Sequence, residues 1–136
     1  MADNTFHLEI ITPEKTLLSD EIVSFEAPGT AGEFQVLAEH TPFLSGLKIG
    51  AVTYEKGEGK KGFISISGGF CEVKQSKAVI LAHTAEKSDK IDVDRAREAE
   101  ERAKNRLESK SSDIDLDRAE AALRRALNRL AVAQMK

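Results

Sequence analysis

The sequence predicts an α+β protein: an N-terminal all-β sandwich followed by a C-terminal antiparallel two-helix hairpin. Three observations carry this. All nine glycines and all three prolines lie before residue 70. All eight arginines lie after it: Arg95, Arg97, Arg102, Arg106, Arg118, Arg124, Arg125 and Arg129. Finally, Ile91-Asp92-Val93-Asp94-Arg95-Ala96 returns as Ile114-Asp115-Leu116-Asp117-Arg118-Ala119, and each copy opens a stretch of helical periodicity. The chain is thus two materials joined near residue 88. Residues 1–85 are assigned to the sandwich and 86–136 to the hairpin.

The strands come in order. Phe6-His7-Leu8-Glu9-Ile10-Ile11 alternates with the period of a half-buried strand, and Thr12-Pro13-Glu14 ends it. Glu21 to Ala27 is a second strand, closed by the turn pair Pro28-Gly29. Gly32 to Leu37 is a third. His40 to Leu44 reads as irregular, because Pro42 removes a donor and pushes Thr41 to an extended shape. Ala51 to Glu55 pairs with Gly62 to Ser67 through the charged tip Lys56 to Lys61. Phe70 to Lys74 and Ala78 to Ala82 form a last hairpin around Gln75-Ser76-Lys77. Short strands with turn signals this frequent indicate a sandwich or barrel.

Composition excludes several classes. At 136 residues, 40% hydrophobic and 32% charged, the chain reads as a soluble globular protein. No apolar run is long enough to span a membrane, and the N-terminus has no secretion-signal pattern. Residues 1–85 carry 7 Lys against 11 Asp and Glu, whereas 86–136 carry 13 Lys and Arg against 12. Neither half is a basic field, so nucleic acid is not an expected partner. Cys71 is the single cysteine, so no internal disulfide forms, which fits a reducing compartment. It is expected in the core and inert. The Gly57–Gly62 tip lacks phosphate-loop spacing, and His7, His40, His83 and Cys71 match no zinc pattern. No spacing favours a nucleophile and base pair. Gly68-Gly69 marks a bulge or close backbone approach, within the chain or to a partner.

The helices have matching starts. Asp92 is a good N-cap with Ile91 before it, able to staple against Ala96; Asp115 caps the second copy. In the second helix Leu116, Leu123 and Leu130 recur with Ala119, Ala126 and Ala133 between them, a narrow seam for close helix packing. Glu108 to Asp113 is the connector. An alanine-rich seam buries little area, so the pair is expected to depend on docking elsewhere. Arg95 and Arg102 share one face, as do Arg118 and Arg125, and folding the hairpin brings the two helices' arginines together. Such a cluster suits a polyphosphate. Spacing alone nevertheless favours a solvated face laced by salt bridges to Glu98, Glu101 and Glu120, which goes with the alternative function, a purely structural adaptor that binds no nucleotide.

Several stretches carry a family resemblance: Val36 to Leu44, Ser67 to Val73, Ala82 to Glu86, Ile91 to Ala96 and Arg125 to Leu130. Together and in this order they resemble the epsilon subunit of bacterial F-type ATP synthases, especially the bacillus-like branch. The resemblance implies a non-catalytic subunit whose sandwich binds the gamma subunit and sits on the rotor-ring c subunits. It implies a hairpin that either folds on the sandwich or extends into the alpha/beta catalytic head and blocks ATP hydrolysis. The implied location is the cytoplasmic side of the cell membrane, peripheral and without insertion. No cofactor is required; ATP enters as a regulatory ligand of the folded hairpin. Carried over residue by residue, the implied ATP site comprises Glu86, Ile91, Asp92, Arg95, Ala96, Arg102, Arg125 and Arg129. The chain departs from the family's loop beside the ring. Family members often have Gly then Leu-Pro-Gly-His where this one has Gln35 and Ala38-Glu39-His40, so a differently shaped loop is expected there.

Overall fold

The computed structural model describes residues 4–109 and 115–136. The connector beyond Ser109, and Ile114 of the second repeat copy, lie outside the described residues.

Eight strands precede two helices. They are β1 Phe6–Ile11, β2 Thr16–Ile22, β3 Ser24–Gly29, β4 Gly32–Leu37, β5 Phe43–Gly57, β6 Lys60–Lys74, β7 Lys77–Ala82 and β8 Ala85–Lys87. Hydrogen bonding runs in the order β2-β1-β7-β6-β5-β3-β4, with β8 on β6. The fifteen-residue β5 and β6 serve both layers of the sandwich. The Gly69–Lys74 half of β6 pairs with β7, while Ile64, Ser65 and Ile66 pair with β8. The predicted central hairpin is present in register, with Val52 opposite Ile64 and Thr53 opposite Phe63. β1 and β7 are parallel; the other pairs are antiparallel.

Alternation along β1 places Phe6, Leu8 and Ile10 inside, with Phe25, Val36, Val52, Ile64, Ile66 and Ile80 filling the same core. Cys71 is fully buried there, and burial pushes its thiol up to about 12. Gly68 and Gly69 have φ of 112° and 145°. A Cβ on Gly69 would stand 2.0 Å from the Leu81 carbonyl oxygen, so the glycine pair serves a close approach of β6 to β7 inside this chain.

Several strand boundaries differ from the sequence reading: Glu21 to Ala27 is divided between β2 and β3, and Gly62 to Ser67 and Phe70 to Lys74 are parts of one strand, β6. Thr16–Ile22 is a separate strand, hidden because Asp20 stands between its two buried residues, Leu18 and Ile22, and interrupts the apolar alternation. Phe43 and Leu44 are not irregular but open β5, pairing with Val73 and Glu72. β8 has only three residues, too few to show a period, and it places Glu86 and Lys87, assigned from sequence to the hairpin, in the sheet of the sandwich.

A 3₁₀ turn, Ser88–Lys90, leads to α1, Val93–Glu108, and then α2, Leu116–Ala133. Both starts are capped as the repeat predicts. Asp92 Oδ1 accepts from the Arg95 backbone N–H at 3.1 Å, and Asp115 Oδ1 from that of Arg118 at 3.2 Å. α1 packs on α2, and α2 packs on β5, β6 and the 3₁₀ turn. The seam is thin: the buried side chains are Ala96 and Ala103 on α1, and Ala119, Ala126 and Val132 on α2. Leu116 is 51% exposed rather than in the seam, and Val132 is fully buried instead.

Candidate functional site: an arginine cleft under the hairpin

Folding the hairpin onto the sandwich encloses a cleft of about 690 Å³. α1 contributes Arg95, Arg102 and Arg106; α2 contributes Arg125 and Arg129. Ser65, Ile66 and Ser67 of β6, Thr84, Glu86 of β8 and Glu14 of the β1–β2 turn complete the wall from the sandwich side. The repeat explains the arginines. Each copy starts its helix at the same phase, so Arg95 and Arg102 are seven residues apart on one face. On α2, Arg125 and Arg129 are four apart and also share a face.

Small residues make the cleft. Ala99, Ala122 and Ala126 line it from the helices, where longer side chains would take up space. Arg129 is held from the sandwich side: its Nε donates to Glu86 Oε1 at 2.6 Å and one terminal nitrogen to Oε2 at 3.1 Å. Beside it, the Asn128 amide donates to the Gly50 carbonyl at 2.8 Å and to Ser65 Oγ at 3.0 Å. Thr84 Oγ1 donates to Ser67 Oγ at 2.7 Å along the wall.

The salt-bridge alternative for this face has little support in the geometry. Among the described residues, Arg95, Arg102, Arg106 and Arg125 have no carboxylate within 4 Å, and the helical ion pairs are Lys104 with Glu100 and Arg129 with Glu86. Five guanidinium groups therefore line the cleft against two carboxylates, Glu14 and Glu86. A concave wall in which four of the five planar forks have no carboxylate partner among the described residues is chemically suited to an anion with several oxygens. Its volume falls within the range of small-molecule sites.

Of the eight residues carried over by resemblance, Glu86, Arg95, Arg102, Arg125 and Arg129 come together in this cleft. Ile91, Asp92 and Ala96 stand outside its lining. Ile91 is 9% exposed, Asp92 caps α1 and Ala96 is fully buried, so these three set the position of α1 and with it the aim of Arg95. The sequence reading left out Arg106, although it lies four residues after Arg102 on the same helix face. It also left out Glu14, for which no local signal exists, since only the tertiary fold brings the β1–β2 turn there.

In the loop where the chain departs from the resembled family, Glu39 has φ 65°. The left-handed turn is thus present with glutamate at the glycine position of the family pattern. His40 lies against Phe6 in an edge arrangement at 5.4 Å, and both ring nitrogens are buried without a hydrogen-bond partner among the described residues.

Fold and site together define a two-module protein, a β-sandwich carrying an arginine-lined helical hairpin. Two family models match in turn: residues 5–88 match the β-sandwich domain of the ATP synthase delta/epsilon chain, and residues 89–134 match its long α-helix domain. The ATP synthase epsilon chain of Nitratidesulfovibrio vulgaris strain DP4 is 49% identical over 105 residues, 77% of this chain and 78% of that one. The epsilon chain of Desulforamulus reducens is also 49% identical, over 77% and 79%. Among solved structures, a chain of the Euglena gracilis mitochondrial ATP synthase OSCP/F1/c-ring assembly superposes with a TM-score of 0.82. It shares 25% identity, with 93% of this chain and 80% of that one covered. This chain belongs to the ATP synthase delta/epsilon family, as a bacterial F-type epsilon subunit, and is not itself an enzyme. No helix among the described residues is long and apolar enough to cross a membrane.

Proposed function

We propose that this chain is a central-stalk rotor subunit that couples the catalytic head to the proton-driven ring and restrains ATP hydrolysis through an ATP-sensitive hairpin. In this reading ATP binds the cleft, its phosphates meeting guanidinium groups from both helices, and thereby favours the hairpin folded on the sandwich. Without ATP the hairpin extends along the gamma subunit toward the alpha/beta head and blocks hydrolysis. The observation that carries the reading is the cleft itself: with the hairpin folded on the sandwich, arginines from α1 and α2 line one cavity together with sandwich residues. A ligand bound across both helices then has differential affinity for the folded form, which is what a conformational balance requires. Shifting the balance from 1:99 to 99:1 takes about 5.5 kcal/mol. Several charge-assisted bidentate contacts are of that order.

Exposed apolar side chains support the docking half. Phe70 and Leu81 are opposite each other on β6 and β7, 57% and 53% exposed, and Leu44 is 71% exposed with Leu37 and Phe43 also open. Such side chains on a small sandwich suit protein partners, here the gamma subunit and the c subunits of the ring. The subunit then lies at the membrane's cytoplasmic face by association, as part of the complex.

Two measurements test the reading. Titration calorimetry of the isolated protein is expected to detect ATP binding, and its absence rejects the nucleotide switch. Deleting residues 89–136 is expected to raise the hydrolysis rate of the complete assembly. An unchanged rate rejects the inhibitory role.

A further inference from the structure

The hairpin's hold on the sandwich is concentrated in one short stretch of α2. We propose that Asn128 is the latch residue of the folded state: it touches no ligand-facing space, yet sets how often the hairpin lifts and so how well the cleft binds. Three observations converge on it. Its amide nitrogen spends both protons on the sandwich, one on the Gly50 carbonyl of β5 and one on Ser65 Oγ of β6. Ser65, 5% exposed, is the one buried polar residue among those described. Asn128 also stands between Arg125 and Arg129, which line the cleft, while itself lying outside the lining.

The chemistry explains why asparagine suits the position. The Gly50 group that meets Asn128 is its carbonyl, which only accepts, so a side chain there must donate. An aspartate would set its carboxylate against that carbonyl, and a leucine of similar size would cover both sandwich groups without donating to either. When the hairpin lifts, water replaces the amide at both groups. The latch is therefore reversible: it holds by neutral hydrogen bonds whose net strength is small, unlike an apolar core contact. Its second tooth is the adjacent Arg129–Glu86 pair, and a nucleotide competes for that arginine. Asn128 has no such competing demand, so it holds the same geometry whether the cleft is filled or empty. The docking part of this inference stands on the contacts alone. Only the effect on affinity rests on the ATP reading proposed above.

The test uses the full chain carrying Val132→Cys. Val132 is fully buried, four residues beyond Asn128 on the sandwich-facing side of α2, so an introduced thiol reacts only when the hairpin lifts. Cys71, fully buried in the sandwich, reports global unfolding in the same sample. Labelling of the two positions is followed separately by peptide mass. In this background Asn128→Ala is expected to speed labelling at position 132 by roughly tenfold or more, with labelling at Cys71 unchanged. Ser65→Ala is expected to speed it several-fold, and adding Ser65→Ala to Asn128→Ala to change little further, because the two share one bond. ATP affinity in Asn128→Ala is expected to fall. A rate within twofold of the parent in Asn128→Ala overturns the proposal, and so does equal acceleration at Cys71. If the parent protein binds no ATP, the nucleotide reading fails, while the labelling comparison still decides the latch.

Discussion

Arg129 of α2 and Glu86 of β8 meet as a two-pronged ion pair, Nε to Oε1 at 2.6 Å and a terminal nitrogen to Oε2 at 3.1 Å. It bridges the two modules across 43 residues of chain. Both side chains retain partial exposure, 26% and 34%, so solvent screens the pair and its strength is that of a good surface bridge. Arg129→Ala, Glu86→Gln and the double variant are expected to give a coupling of about 0.5–1 kcal/mol in a double-mutant cycle of urea stability. Additive losses would mean that the pair does not hold the modules together.

Arg95 and Arg125 line the same cleft from different helices and have no carboxylate partner within 4 Å among the described residues. Each change to alanine is expected to weaken ATP binding more than tenfold, with little effect on thermal stability, since no protein ion pair is lost. Arg97 is exposed and outside the cleft lining, so Arg97→Ala serves as the control. Calorimetric titrations at two salt concentrations would check both the residues and the charge dependence. Unchanged affinity in both cleft variants would remove the site assignment.

How far the sequence reaches is clear from particular residues. The repeat at Ile91 and Ile114 announces two helices with the same start, and Asp92 and Asp115 cap them as their positions require. Cap chemistry is local, so it is legible. The β5–β6 hairpin is legible for the same reason, through alternation around a charged tip. Asn128 illustrates what is not legible. Its two acceptors are 78 and 63 residues away, and nothing near it in sequence requires a donor. Glu14 likewise reaches the cleft only through tertiary folding. Arg106 was legible by spacing and needed only the α1 stripe to be read one turn further.

Asp92 makes a separable prediction. Its side chain satisfies the Arg95 backbone N–H but does not line the cleft. Asp92→Ala is expected to lower stability by about 1 kcal/mol through loss of the cap. ATP affinity should fall less than in Arg95→Ala, because the guanidinium remains and only its helix turn frays. Asp92→Asn, which retains a capping oxygen, is expected to restore most of both. If Asp92→Asn were as damaging as Asp92→Ala, the carboxylate charge rather than the cap would be the active feature.

Glu39 holds φ 65°, a left-handed conformation that costs a residue with a Cβ roughly 1–2 kcal/mol relative to glycine. Glu39→Gly relieves this strain but loosens the unfolded chain, which offsets part of the gain. A net stabilisation of about 0.5–1 kcal/mol is expected in urea melts. Destabilisation would indicate that the Glu39 side chain makes up for its own backbone.

Cys71 ties the sandwich to alkaline pH. Its thiol is fully buried, and desolvation raises it from 9.0 to about 12. The neutral thiol is favoured by folding, so the unfolded chain loses its proton first as pH rises. The stabilising contribution is therefore complete below about pH 9 and is lost progressively between 9 and 12. Within that window the slope from this group is about 1.4 kcal/mol per pH unit. Cys71→Ala removes that slope and costs some packing at neutral pH. Urea melts of both proteins at pH 8, 9, 10 and 11 should show stability curves that converge as pH rises. Tyr54, whose hydroxyl is also raised mainly by burial, adds an alkaline slope common to both proteins, so only the difference between the curves belongs to the thiol. Parallel curves would mean that the Cys71 thiolate is solvated in the fold, and that the sandwich core is looser at β6 than its packing indicates.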